Sequence, residues 1–264
     1  MEILVCVKRV PDIGENEIEI TSDGKDIKRE DLVYSVNEWD NYAVEEAIQI
    51  RDKVGGSVTV VSVGDDEWED VLRREMAMGA DKGVLLKDEK FDGSDGKGLA
   101  TILKAFVEKG NYDLILTGAQ ASDDGAGQVG GMLAALLDWP FASLVNKIEV
   151  VDDKTLRIGR EIEGGNQEIN EIQLPCVLSI QSGINEPRYV SLRGIRKVAS
   201  KEIPVYGCED LGLSEDQVGE KAAKVKRIDY FIPEIGKGAE ILEGDLEEVA
   251  EKLAELLKAK GGIK

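Results

Sequence analysis

The sequence contains no histidine in 264 residues. That absence removes imidazole as general base, as triad member and as metal ligand, and with it most hydrolase mechanisms and the usual zinc sites. Cysteine is scarce: Cys6, Cys176 and Cys208 are too few and too scattered for a disulfide framework or a CxxC metal or redox site, and each reads as a small apolar core residue. Positive charge is outnumbered. Against 53 Asp and Glu there are 33 Lys and Arg, a formal net charge of -20, which repels a phosphate backbone and excludes DNA or RNA as an expected partner. Long hydrophobic runs are missing as well. Met1–Val7 opens an apolar stretch without a basic leader, and nothing approaches the ~20 apolar residues that span a bilayer. The expectation is a soluble chain, cytoplasmic or exposed to an organelle matrix after processing, with no membrane insertion, no metal and no catalytic residue of its own.

What is present is hydrophobic content of 42%, enough for one large domain with an appendage. Up to about residue 140, short β-branched runs alternate with helical periodicity, the pattern of a parallel sheet covered by helices. The strands read as Ile3–Val7, Ser57–Val63, Gly83–Lys87 and Tyr112–Thr117. Ala43, Val44, Ala47 and Ile48 share a helical face behind Asn37 as N-cap, and Val71, Leu72, Glu75, Met76 and Met78 belong to a second helix. Leu99–Lys109 predicts a third helix and Ala126–Leu137 a fourth. The fold class is therefore α/β, a doubly wound, mostly parallel, Rossmann-like sheet.

After Pro140 the alternations Leu144–Val151, Lys154–Glu163, Ile169–Leu174 and Cys176–Ile180 predict added antiparallel strands. From about Gly183 the chain is charged and broken by Pro187, Pro204 and Pro233, and is expected to run over the surface. We divide it into an α/β domain, 1–204, and a C-terminal arm, 205–264. The arm closes on an amphipathic helix: Asp245 and Glu248 form a capping box, and Leu246, Val249, Ala250, Leu253, Leu256 and Leu257 make an apolar stripe that needs a surface to cover.

In an open parallel sheet, ligands collect beyond the carboxyl ends of the strands, where helix N-termini present free N–H groups to anions. Here Gly118–Gly131 leaves a strand, passes several glycines and enters a helix. Two readings stand open on the pattern alone: a nucleotide cradle, or glycines that make a tight turn and close helix–sheet packing. Asp123 and Asp124 within it oppose a phosphate at those positions and suit helix capping better. Asp65-Asp66 and Asp152-Asp153 read as solvated turn charges, and Asp92–Gly98 as a flexible loop without the ligand spacing of a calcium loop.

Five phrases, in order, resemble the beta subunits of electron-transfer flavoproteins. They are Val7-Lys8-Arg9-Val10-Pro11-Asp12, Val36–Asp40 with Ala43–Ala47, Ala77–Lys82, Gly118–Gly131, and Asn185-Glu186-Pro187-Arg188-Tyr189. The resemblance covers nearly the whole chain. It implies a heterodimer whose alpha subunit holds most of the redox FAD, while this chain binds AMP or a second FAD. It implies nucleotide contacts from Cys6, Asn37, Glu38, Trp39, Asp40, Val63, Gly118, Gln120, Ala121, Ser122, Asp124, Gly125, Gly127, Gln128 and Val129, with the N–H groups of Gly127, Gln128 and Val129 facing phosphate. It also implies that Leu192 docks an acyl-CoA dehydrogenase-like partner. Gly125-Ala126 stands where the family often has a hydroxyl residue, and Gly96 and Leu99 stand where electron-bifurcating members tend to carry threonine. The expected function is an electron-carrier subunit rather than a stand-alone enzyme. The alternatives are a bifurcating subunit that uses NADH and holds a second FAD, and a free-standing nucleotide-binding protein of universal-stress type, against which the long arm speaks.

Overall fold

The computed structural model describes residues 1–234, 236, 238, 239 and 241–262. Its strands and helices follow in the order β1 (Glu2–Cys6), β2 (Arg9–Pro11), β3 (Tyr34–Val36), α1 (Glu38–Val54), β4 (Ser57–Val63), α2 (Glu69–Met78), β5 (Lys82–Leu86), α3 (Gly96–Val107), β6 (Leu114–Gly118) and α4 (Val129–Leu137). The second half adds β7 (Phe141–Asp152), β8 (Thr155–Ile162), β9 (Asn166–Gln173), β10 (Cys176–Ile180), α5 (Leu192–Val198), β11 (Val205–Tyr206), α6 (Gly219–Ala222) and α7 (Leu246–Ala259).

Nine strands form one sheet in the order β11-β5-β4-β1-β6-β10-β7-β8-β9, and β2 and β3 pair in a small antiparallel ribbon. From β11 to β7 every neighbour is parallel, and β7, β8 and β9 form an antiparallel meander. The alternation of strand residues sorts the core into two layers. Ile3 and Val5 face a cluster with Ala43, Val44, Ile48, Leu72 and Met76 of α1 and α2. Leu4 faces the opposite cluster, with Ala100, Leu103, Phe106 and Leu133 of α3 and α4. Both sides are covered, as expected of a doubly wound sheet.

Five expectations need correction. Cys176–Ile180 is not an added antiparallel strand: it lies in the middle of the sheet, parallel to both β6 and β7, and its five residues are all buried. A run buried on both faces carries no alternation from which direction can be read. The fourth helix begins at Val129 rather than Ala126, because Gly125 and Gly127 hold left-handed φ of 60° and 58°. The third begins at Gly96 rather than Leu99, because Asp95 caps it by accepting the Gly98 N–H at 2.9 Å. That cap orders the segment read as a flexible loop, and the strand before α4 runs Leu114–Gly118 instead of Tyr112–Thr117.

Beyond Gly183 the chain returns to the body before leaving it. α5 lies against α2, with Val198 buried; β11 adds a parallel strand to β5; and Cys208, Leu211 and Val218 enter the α3/α4 core layer. α7 is different. Asp245 accepts the N–H groups of Glu247 and Glu248, both at 3.0 Å, yet no residue of the helix is buried, and Leu246 is 86% exposed. Among the described residues, no helix is long and apolar enough to cross a membrane.

Candidate functional site

Strand order places the site. From β1 the chain moves outward to β4 and β5, then crosses back to lay β6 on the other side of β1. Loops leaving β1 and β6 therefore diverge, and a crevice opens between their carboxyl ends. Cys6 and Gly118 are the last residues of those two strands, and α1 starts above them at Glu38.

Asp40, in the first turn of α1, holds the crevice floor. One carboxylate oxygen accepts the Lys8 N–H at 2.8 Å and the other accepts the Gly118 N–H at 3.0 Å, so a single buried side chain joins the ends of β1 and β6. Burial pushes its pKa up to about 7 against the pull of the Lys8 amide, Asn37 and the Gly118 amide. Gly118 is required by this closeness: a Cβ there would lie 2.4 Å from Asp40 Oδ1 and 2.8 Å from the Trp39 Cβ.

Asn37 is the N-cap residue of α1 but makes no side-chain cap bond. Its amide instead donates to the Gln120 carbonyl at 2.8 Å and accepts the Ser122 N–H at 3.2 Å. The residue expected to start a helix thus secures the loop after β6. That loop is shaped further by the Gly125 N–H donating to the Ala121 carbonyl at 2.8 Å and by Asp124 accepting the Ala126 N–H at 2.9 Å. Asp123 and Asp124 do not cap α4; both pair with Lys8 Nζ, at 2.7 and 3.1 Å.

Among the described residues, the N–H groups of Gly127, Gln128 and Val129 find no acceptor within the chain. Gly127 and Gln128 are exposed and Val129 is half-buried. These three donors open α4, where unpaired N–H groups and the helix dipole favour an anion. Beneath them Gly130 is pressed onto β6 and β10: a Cβ would stand 2.6 Å from both Thr117 Oγ1 and Ser179 Oγ. Those hydroxyls bond each other at 2.9 Å. Cradle and tight packing, the two readings of this glycine-rich segment, thus describe different glycines of one loop.

The rest of the wall is half-buried. Trp39 Nε1 donates to Gln181 Oε1 at 3.0 Å, and Gln181 passes the contact on to Glu161 at 3.2 Å. Val63 ends β4 beside Cys6, both partly buried against the same core layer; burial, then Asp40, pushes the Cys6 thiol up. Glu38 is exposed, and its hydrogen-bond partner is Tyr42 at 3.4 Å rather than a crevice residue. Gln181 was not foreseen, because the carboxyl-end rule applies to it only once β10 is known to be parallel.

A family model described as "Electron transfer flavoprotein domain" matches residues 26–210, which include α1 and the loop after β6. The full chain aligns with "Electron transfer flavoprotein subunit beta" of Methylophilus methylotrophus, 38% identical over 263 residues, 97% of this chain and 98% of the relative. The chain belongs to the electron transfer flavoprotein beta-subunit family. Its role is electron transfer. "Caffeyl-CoA reductase-Etf complex subunit CarD" of Acetobacterium woodii is 36% identical, covering 98% of this chain and 99% of that one, and "Protein FixA" of Azotobacter vinelandii is 32% identical, covering 98% and 94%.

In this flavoprotein subunit Leu192 lies apart from the crevice, at the first position of α5. It is 75% exposed and is followed by Arg193, Arg196 and Lys197. Ser191 caps the helix through the Gly194 N–H at 3.1 Å, and Gly194 sits so close to α2 that a Cβ would be 2.4 Å from the Ala77 carbonyl oxygen. Arg188 holds the preceding segment by pairing with buried Glu45 at 2.7 Å. The leucine is thus presented on a short helix anchored at both ends.

Proposed function

We propose that this chain is the nucleotide-holding half of a heterodimeric, cytoplasmic electron carrier, with AMP or a second FAD in the crevice between β1 and β6. The observation that carries this reading is the row of unpaired N–H donors at Gly127, Gln128 and Val129, positioned by Asn37 and Asp40 at the point where the strand order reverses. Such donors match phosphate oxygens, and the crevice floor leaves room for no side chain at Gly118. Cys6, Val63, Trp39 and Ala121 would bound the nucleoside, with Glu38, Gln120, Ser122, Asp124 and Gly125 around the rim.

FAD, held mostly by the alpha subunit, supplies the redox chemistry. This chain supplies position and electrostatics. Its arm, residues 205–264, clasps that subunit with the exposed leucines of α7, and Leu192 seats in a pocket of an acyl-CoA dehydrogenase-like flavoenzyme while the neighbouring cations steer the approach.

The test is to co-purify the chain with its alpha subunit, denature the complex and quantify FAD and AMP per heterodimer. One FAD with one AMP supports a one-flavin carrier. Two FAD support the bifurcating form. No adenine nucleotide beyond the alpha subunit's flavin overturns the crevice assignment.

A further inference from the structure

After α6 the chain does not leave the body at once. The Lys224 and Val225 N–H groups donate to Asp95 Oδ2 at 2.7 and 3.3 Å, which fixes this segment at the amino end of α3. That end abuts the nucleotide loop: a Cβ on Gly96 would lie 3.1 Å from Gln128 Oε1. Farther along, Lys25 Nζ donates to the Ile228 carbonyl at 2.9 Å and the Tyr230 N–H donates to the Gly24 carbonyl at 2.8 Å. Residues 224–230 therefore form a strap pinned at two points, running from beside Gln128 to the turn at Gly24.

The strap reads Lys224-Val225-Lys226-Arg227 in a chain of net charge -20. Lys226 is paired with Glu220 at 3.0 Å. Arg227 is not: among the described residues no carboxylate lies within ion-pairing distance of it, and its hydrogen bond goes to the Tyr230 hydroxyl at 3.0 Å. Its charge nevertheless reaches two acids. Burial works to raise the Asp124 pKa, but the Ala126 amide, Lys8 and Arg227 together hold it below the usual value; the Asp26 carboxyl is lowered chiefly by Arg29, with Arg227 contributing. Lys8, meanwhile, is already engaged by Asp123 and Asp124. The crevice mouth thus carries two carboxylates against one committed ammonium, and an anion arriving at Gly127–Val129 needs a further cation.

We infer that Arg227 supplies it, as a phosphate-binding residue delivered to the crevice by the arm and not by the sheet. The inference rests on the nucleotide reading of the crevice. A guanidinium suits the task because its planar fork can grip two phosphate oxygens and keeps its charge at any physiological pH. It also gives the nucleotide a contact on the same segment that leads toward α7.

The experiment uses the assembled heterodimer freed of its crevice nucleotide, with AMP and adenosine as probes in calorimetric titration. Arg227→Gln should weaken AMP by roughly 10- to 100-fold, the scale of charge-assisted hydrogen bonds, and leave adenosine unchanged, while Arg227→Lys should recover part of the AMP affinity. AMP binding to the Arg227→Gln heterodimer as tight as to the unaltered one overturns the inference and leaves the crevice assignment standing. Equal weakening of AMP and adenosine also overturns it, since the residue would then act through structure. Failure of the unaltered heterodimer to take up either probe overturns the crevice assignment itself.

Discussion

The Asn37 side-chain amide donates to the carbonyl of Gln120 at 2.8 Å across 83 residues of sequence. With its second bond to the Ser122 N–H, this buried amide is the main polar link between the start of α1 and the loop after β6. Asn37→Ala should strand both loop groups and destabilise the protein by about 1–3 kcal/mol. Nucleotide retained per heterodimer should fall with it, measured by chromatography of the denatured complex; full retention would remove Asn37 from the site.

Two glycines of the same loop should respond unequally to alanine. Gly118→Ala drives a methyl into Asp40 and Trp39, an overpacking of about 1–3 kcal/mol or more. At Gly125 nothing lies within 4 Å of the new methyl, so only the left-handed φ of 60° resists it, about 1–2 kcal/mol. Denaturant midpoints of the two variants, compared at fixed slope, check the ranking.

Glu75 is fully buried on α2 with Oε2 unpartnered, and burial raises its pKa to about 7, with Asp40 adding to the effect. A folded-state value above the unfolded one means the folded protein binds the proton more tightly. Stability from this group is therefore greatest below the unfolded value of 4.5, falls as pH rises toward about 7, and stays reduced above it. Glu75→Gln should remove that fall, making the variant more stable than the parent at pH 8 by about 1–3 kcal/mol and little different at pH 4.5. Urea titrations at both pH values decide it, and Asp40, shifted in the same direction, leaves a residual slope in the variant.

Leu192→Ala should slow electron transfer to the proposed flavoenzyme partner by about tenfold or more, the effect of losing an anchoring side chain, while flavin content and melting temperature hold. A parallel loss of flavin would give the leucine a structural role instead.

The clean truncation is at α7. Cutting before Val205 would remove a strand of the sheet and three core residues, whereas stopping at Gly244 removes only a helix with no buried residue. The shortened chain should fold as before by circular dichroism but bind its alpha subunit more weakly. Unchanged assembly by analytical ultracentrifugation would refute the clasp.

The sheet and its two helix layers were legible because β1, β4, β5 and β6 are short apolar runs separated by amphipathic helices. The glycine-rich loop was legible by the same logic, since a strand end followed by small residues and a helix has few uses. The ligand roles proposed for these residues came only from family likeness, and the sequence did not foretell the tether at Asn37, since nothing in that residue type distinguishes a helix cap from a loop tether. The direction of β10, and with it Gln181, was hidden because uniform burial erases alternation. The return of residues 205–222 to the core was hidden because its buried side chains, Cys208, Leu211 and Val218, are set among Gly207, Asp210, Gly212 and Ser214, a composition that reads as surface turns.

The Asp40 carboxylate fastens an amide near the start of the chain to one well past residue 100. During synthesis Asn37 and Asp40 leave the ribosome long before Gly118 and Gln120 do, so the crevice has no floor until β6 inserts beside β1. Contacts this distant in sequence slow folding, and a ligand that recognises only the finished crevice draws the equilibrium toward it. Any ligand of that crevice therefore stabilises the chain only once its two central strands stand in register.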